Sequence, residues 1–308
     1  MIVVGGFNTA VDRFLTIPAL RAGAVNRAQG ARALPGGKGL HVALTAATLG
    51  EAVILVGLQD ALHAGWLADF LGVRGVGFAG VDVDEIRTCI ALRDEAGVMT
   101  EILEPGPELD ADAQRRLRSR FLEAAAGARL AVLSGSLPRG LPESTYADLV
   151  DALAASGLPS FLDASGDALR LGCAAKPALV KPNRDEAVEL VGFPVPGADQ
   201  ALVAVRSLAA RGLGRVVLSL GEAGAVVSWD GRVARVRAPR VEASNTVGSG
   251  DCLLGGLAVG VARGLQPEDI LRLGVACGAA NALSEETGVV RRQDVERLCP
   301  QVVIEWLD

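Results

Sequence analysis

The strongest constraint on the fold is an alternation of strand-like and helix-like segments along the middle of the chain. Short apolar runs at 130–134, 160–163, 178–181 and 215–219 read as buried strands, and helical periodicity occupies 111–126, 143–155, 185–191 and 199–211 before or between them. Parallel strands need a crossover connection, so this alternation predicts an α/β fold with a mostly parallel sheet covered by helices on both faces. Runs at 2–7 and 52–58 add strands to it. The helix expected at 40–49 is nearly all apolar, which predicts burial, and two more helices are expected at 250–263 and 267–285. Segments 86–93 and 98–103 flank the turn Asp94-Glu95-Ala96-Gly97, a hairpin signature, and 13–18 is a further strand candidate. These antiparallel pieces break the alternation and are expected to form a small separate sheet, a lid drawn from about 13–33 and 86–104. A second hairpin is expected at 226–229 and 233–236 around Asp230-Gly231. The whole of 1–308 then reads as one domain, a three-layer α/β/α sandwich plus lid.

Composition narrows the function. Half of the 308 residues are hydrophobic and only 4% are aromatic, so a large core is packed by Ala, Val, Leu and Gly. The net charge of −6 and the absence of a Lys/Arg run argue against a nucleic-acid partner. Arg115, Arg116, Arg118 and Arg120 are expected on a solvated helix face. The five cysteines (Cys89, Cys173, Cys252, Cys277, Cys299) are scattered with no CxxC pair, which points to neither zinc nor a disulfide framework and fits a reducing cytoplasm. The start lacks a basic n-region, and the apolar windows 252–262 and 273–283 are too short to span a bilayer, so no signal peptide and no membrane partner are expected.

Four Gly-rich or polar segments fall at strand-to-helix joins, where α/β folds bind ligands. In Asn245-Thr246-Val247-Gly248-Ser249-Gly250-Asp251, the glycines precede an apolar helix whose first-turn N–H groups and dipole attract phosphate. Asp251 there is either a dipole partner or a base that takes a proton from an attacking hydroxyl; the two flanking glycines favour the base. Pro35-Gly36-Gly37-Lys38-Gly39 is a Gly-rich turn without the P-loop spacing, since Leu40 stands where a Mg²⁺-binding Ser or Thr would be. Lys181-Pro182-Asn183-Arg184-Asp185-Glu186 carries a helix capping box, which accounts for Asn183 and Glu186 without function as readily as with it. Ser219-Leu220-Gly221-Glu222-Ala223-Gly224 is by itself a tight turn.

Together and in this order the segments resemble the ribokinase-like, or PfkB, carbohydrate kinases over essentially the whole chain. Residues 36–50 are similar to that family's first signature and 245–256 to its second. Ser134-Gly135-Ser136-Leu137-Pro138-Arg139-Gly140 and Thr100-Glu101-Ile102-Leu103-Glu104-Pro105-Gly106-Pro107 resemble the 1-phosphofructokinase and tagatose-6-phosphate kinase branch. The resemblance implies an ATP- and Mg²⁺-dependent kinase turning a ketohexose phosphate into a bisphosphate, first of all fructose 1-phosphate into fructose 1,6-bisphosphate. It implies Asp251 as base and Gly248, Ser249 and Gly250 as the anion hole. It implies Asp12, Gly37, Lys38 and His41 as acceptor contacts, with Arg27 and Arg87 toward a substrate phosphate. Lys181, Asn183, Ser219, Gly221, Gly224 and Asn281 fall to the nucleotide, and Glu186 to Mg²⁺. A lid of this kind often helps form a homodimer.

The departures from that branch lie on the sugar side. His41 stands where Asn is usual, Cys89 and Ala91 replace Asn and Lys of an Arg-x-Asn-Val-Lys stretch, Leu103 replaces another Asn, and Leu58-Gln59 falls where glycines are usual. Other acceptors therefore stay open: tagatose 6-phosphate, a free sugar or a nucleoside. A non-catalytic sugar or nucleotide sensor on the same fold is a rival class, opposed by the presence of Asp251, which a sensor does not need. A nicotinamide-dependent oxidoreductase is opposed by Gly5-Gly6-Phe7-Asn8, which is not a GxGxxG.

Overall fold

The computed structural model describes residues 1–307. Among them, ten strands form one sheet in the order Val303–Trp306, Arg232–Arg237, Ala225–Trp229, Arg215–Ser219, Leu179–Val180, Ser160–Asp163, Leu130–Ser134, Ile2–Gly5, Val53–Gln59, Val76–Asp82. From Arg215–Ser219 to Val76–Asp82 every neighbouring pair is parallel. The three strands at the other end run antiparallel to their neighbours. Successive strand residues point to opposite faces, and both faces are apolar. Ile2, Val4, Leu55, Leu130 and Val132 pack under helices Lys38–Thr48, Ser249–Ala262 and Pro267–Ala282. Val3, Val56, Ala131, Leu133 and Leu162 pack under Ala111–Ala125, Thr145–Ala155 and Ala198–Ala210. This is the expected three-layer α/β/α arrangement.

The second sheet has the order Gly30–Gly36, Ala10–Ile17, Arg87–Asp94, Met99–Leu103. Asp12 lies opposite Leu34 and Cys89, and Phe14 opposite Arg32 and Ala91. Cys89 in turn faces Leu103, and Ala91 faces Glu101. Strand alternation therefore puts Asp12, Phe14, Cys89, Ala91, Glu101 and Leu103 on one face of the lid and Leu15, Ile90, Leu92 and Ile102 on the other.

Sequence periodicity does not reveal strands Gly30–Gly36, Val76–Asp82 and Val303–Trp306, nor helices Ala64–Val73, Gly166–Ala174 and Arg292–Leu298. All three strands are sheet edges. An edge is covered on fewer sides, so it carries no continuous apolar run. The last long helix also stops at Ala282, short of the expected 285. Arg115 and Arg116 pair with Asp112 on the solvent side of helix Ala111–Ala125, the solvated face expected. No helix among the described residues is long and apolar enough to cross a membrane.

The helix Lys38–Thr48 reaches the sheet through glycine. A Cβ on Gly39 would stand 2.4 Å from the Gly6 Cα, so no side chain fits between the helix and the end of the first strand. Gly39→Ala is expected to force them apart and cost roughly 1–3 kcal/mol; an unchanged urea midpoint would show that the contact is loose.

Candidate active site

The site sits where the parallel strands end. Strands Ile2–Gly5, Leu130–Ser134, Ser160–Asp163, Leu179–Val180 and Arg215–Ser219 all finish at this edge, and helices Lys38–Thr48 and Ser249–Ala262 begin there. Gly248 caps the second helix in the left-handed region at φ 82°. A Cβ on it would lie 2.7 Å from the Gly288 nitrogen, so only glycine fits. Ser249, Gly250 and Asp251 form the first turn, whose N–H groups have no partner within the helix and suit an anion.

Side chains behind the loop hold it in place. The Asn245 Oδ1 accepts from the Val247 N–H at 3.0 Å, and its Nδ2 donates to the Thr287 Oγ1 at 2.9 Å. Asn281 donates to the Val247 carbonyl at 2.9 Å and to the Ser249 Oγ at 3.0 Å. Asn281, which the resemblance gives to the nucleotide, is fully buried, with both amide hydrogens spent on the loop.

On the lid side two carboxylates flank one imidazole. The Nδ1 of His41 lies 2.9 Å from the Asp251 Oδ2, and its Nε2 lies 3.6 Å from the Asp12 Oδ2. All three side chains are largely buried. Burial opposes a charge on the ring, but the hydrogen bonds and charges of Asp12 and Asp251 prevail and push its pKa up to about 9. Asp12 reaches in across Gly36, where a Cβ would overlap its carboxyl group. Both nitrogens of His41, which the resemblance makes an acceptor contact, face carboxylates.

On the other side two lysines and two carboxylates alternate. Asp163, which sequence reasoning does not single out, is fully buried at the end of its strand. Its Oδ2 lies 3.1 Å from the Lys181 Nζ and its Oδ1 3.7 Å from the Lys38 Nζ. Neither oxygen has an aligned hydrogen-bond donor, so the carboxylate is held by charge. The only sequence signal for it is a lone Asp closing an apolar strand. Asp163 above all raises the Lys38 pKa against partial burial, with Asp251 and Glu186 adding to it.

Asn183 and Glu186 form the full capping box: Asn183 Oδ1 accepts from the Glu186 N–H at 2.9 Å, and Glu186 Oε2 accepts from the Asn183 N–H at 2.7 Å. The other oxygen of Glu186 points toward Lys38 at 4.0 Å. Burial, then the charge of Asp163, raises the Glu186 pKa. One oxygen of this carboxylate thus serves the helix cap, and the other lies outside it.

Ser219 turns back on Pro182, with its N–H 3.0 Å from the Pro182 carbonyl. Gly221 opens a short turn, and a Cβ on Gly224 would overlap the Val236 carbonyl. Gly37 makes the tight turn before Lys38 at φ 106°.

Arg87 donates from Nε to the Asn8 carbonyl and from Nη1 to the Glu104 carbonyl, both at 3.1 Å. Arg27 lies in the exposed connection between strands Ala10–Ile17 and Gly30–Gly36. The two branch motifs clasp each other. Asn8 Nδ2 donates to the Pro105 carbonyl and to the Ser136 Oγ, and Arg139 Nε to the Gly106 carbonyl.

A carboxylate at an anion-cradling helix end, faced by a second carboxylate from a covering sheet, is equipment for moving a phosphoryl group onto a hydroxyl, the work of a carbohydrate kinase. The chain matches the profile of the pfkB family carbohydrate kinases over residues 2–292, and it belongs to that family. It is 30% identical to the tagatose-6-phosphate kinase of Staphylococcus epidermidis over 308 residues, 99% of each chain. Phosphofructokinase-2 from Escherichia coli, in complex with substrates and products, superposes with a TM-score of 0.91 at 29% identity, covering 97% of this chain and 98% of that one. The tetrameric inhibited form of the same enzyme gives 0.89 at 28% identity, with the same coverage. The protein is therefore an enzyme that acts on a sugar or sugar phosphate, and its family implies ATP as phosphoryl donor.

The buried Asp163–Lys181 pair offers a stability test. Asp163→Ala leaves the Lys181 charge, 4% exposed, without its main partner and is expected to cost about 3–5 kcal/mol in denaturant unfolding. Asp163→Ala combined with Lys181→Met should recover much of that loss. Equal destabilisation in both variants would mean that the two charges do not depend on each other.

Proposed function

We propose that the chain transfers the γ-phosphoryl group of ATP to a primary hydroxyl of a ketohexose phosphate, giving a bisphosphate. The observation that carries this is the placement of Asp251: a buried carboxylate in the first turn of the anion-cradling helix, on the side that faces Asp12. Asp12 holds sugar hydroxyls, and Asp251 takes the proton of the hydroxyl that attacks phosphorus. The oxygen–phosphorus bond forms as the bond from phosphorus to the bridging β,γ-oxygen breaks, and the N–H groups at Gly248–Gly250 stabilise the transferring group. Lys38 and Lys181 lie beside that path and offset negative charge on the phosphates. Among the described residues there is no cluster of three or more potential metal-ligating side chains. Mg²⁺ commonly takes one or two carboxylates with phosphates and water, and Glu186, with one oxygen outside its capping bond, fits that role. When bound, Mg²⁺ supplies charge neutralisation to the phosphates. The lid face bearing Leu15, Ile90, Leu92 and Ile102 suits a homodimer, and the enzyme works in the cytoplasm.

Fructose 1-phosphate is the acceptor we put first. Tagatose 6-phosphate is the second reading, favoured by the relative of that specificity that matches along the whole chain. Both present a free hydroxymethyl at one end and a phosphate at the other, so one site geometry serves either. ADP release should be measured across fructose 1-phosphate, tagatose 6-phosphate, fructose 6-phosphate, the free ketoses, pentoses and nucleosides. Ketohexose phosphates should dominate; turnover of free sugars alone would sink the assignment. Asp251→Asn should lower kcat by roughly 10²–10⁴-fold with ATP binding unchanged, and a near-normal rate would remove Asp251 as the base.

A further inference from the structure

His41 occupies a place built for an imidazole ring. A Cβ on Gly288 would lie 2.0 Å from the His41 Cδ2, and Gly288 itself has φ 70°. Gly288 also lies against Gly248, so the ring is wedged beneath the anion-hole loop. The neighbouring Thr287, fastened to Asn245, keeps this segment in place. From below, the Thr45 Oγ1 donates to the His41 carbonyl at 2.9 Å. Gly288 thus closes the side of the ring away from the two carboxylates it faces.

Both ring nitrogens face carboxylate oxygens, Nδ1 that of Asp251 and Nε2 that of Asp12. A neutral imidazole has one N–H and one lone pair. In either tautomer the lone pair would point at a carboxylate. Only the imidazolium presents hydrogen to both. Other charges nearby are Glu101 from strand Met99–Leu103, whose pKa is raised by its burial and then by Asp12 and Asp251, and Lys38 one turn back on the same helix. Asp12 and Asp251 favour the cation.

We infer that His41 is a positioning residue that acts as a doubly protonated clamp between Asp251 on the catalytic helix and Asp12 on the lid. It occupies one oxygen of Asp251 and leaves the other to the acceptor hydroxyl. It also ties the strand that holds the sugar to the helix that carries the base. This rests on the assignment of Asp251 as base. Because it already carries both protons, His41 is not a proton acceptor in the transfer. The raised pKa sets the direction of the pH dependence: the clamp is present at neutral pH and is lost as pH rises through about 9.

The test has two independent arms. The first is ¹⁵N-imidazole NMR of the whole protein. The chain has two histidines, and His63→Gln identifies the His41 signals. Both nitrogens of His41 should be protonated at pH 7.5 and titrate near pH 9. A neutral ring at pH 7.5 would overturn the clamp. The second arm compares the pH profile of kcat/KM in the wild type and His41→Asn. The wild type should lose about tenfold per unit above the His41 pKa, whereas the amide does not titrate and should remove that limb. Superimposable profiles would also overturn it. If His41→Asn does not fold, the NMR arm decides alone. Failure of every acceptor to turn over would remove the proposed function and leave the NMR result to judge the clamp. Turnover accompanied by a neutral His41 would remove the clamp alone.

Discussion

The site depends on two helices approaching the sheet and each other without side chains between them. Gly39 allows helix Lys38–Thr48 to touch the end of the first strand at Gly6. Gly255 does the same between the two helices, since a Cβ there would stand 2.7 Å from the Thr45 Cβ. Such close approach brings both N-termini to one edge of the sheet. Lys38 and His41 then enter from one helix and Ser249–Asp251 from the other, close enough for a 2.9 Å hydrogen bond between residues 210 positions apart. Interiors packed at crystal-like density do not tolerate even one added methyl at such points.

Charge organises what packing brings together. Four carboxylates, Asp12, Asp251, Asp163 and Glu186, would repel one another in a partly buried site. Cations separate them: His41 lies between Asp12 and Asp251, and Lys38 and Lys181 lie around Asp163. Each carboxylate lies near a basic side chain, at the distances where low dielectric makes pairing count. The lid residues Cys89, Ala91 and Leu103, which depart from the branch that the chain resembles, share the face of Asp12.

Much of the architecture is legible from residue order. Buried parallel strands such as Leu130–Ser134 carry continuous apolar runs because both faces are covered. Strands Gly30–Gly36, Val76–Asp82 and Val303–Trp306 lack that signal because they lie at edges, and glycines dilute Val76–Asp82 further. The glycine-rich helix starts at Lys38 and Ser249 are legible for a local reason, since a tight turn and a helix cap are settled within a few residues. Asp163 is not, because its meaning comes from Lys181 and Lys38, which are distant in sequence.

The sequence by itself determined the layer architecture, the glycine-capped helix start with Asp251, and the capping box at Asn183, since each rests on periodicity or on contacts a few residues apart. Tertiary structure alone decided which groups became partners. It turned Asn281 inward to hold the loop, set Asp163 among lysines, and placed His41 between Asp12 and Asp251. Those outcomes depend on distances between elements far apart in the chain, which follow from how closely glycine lets backbones approach and are written in no single segment.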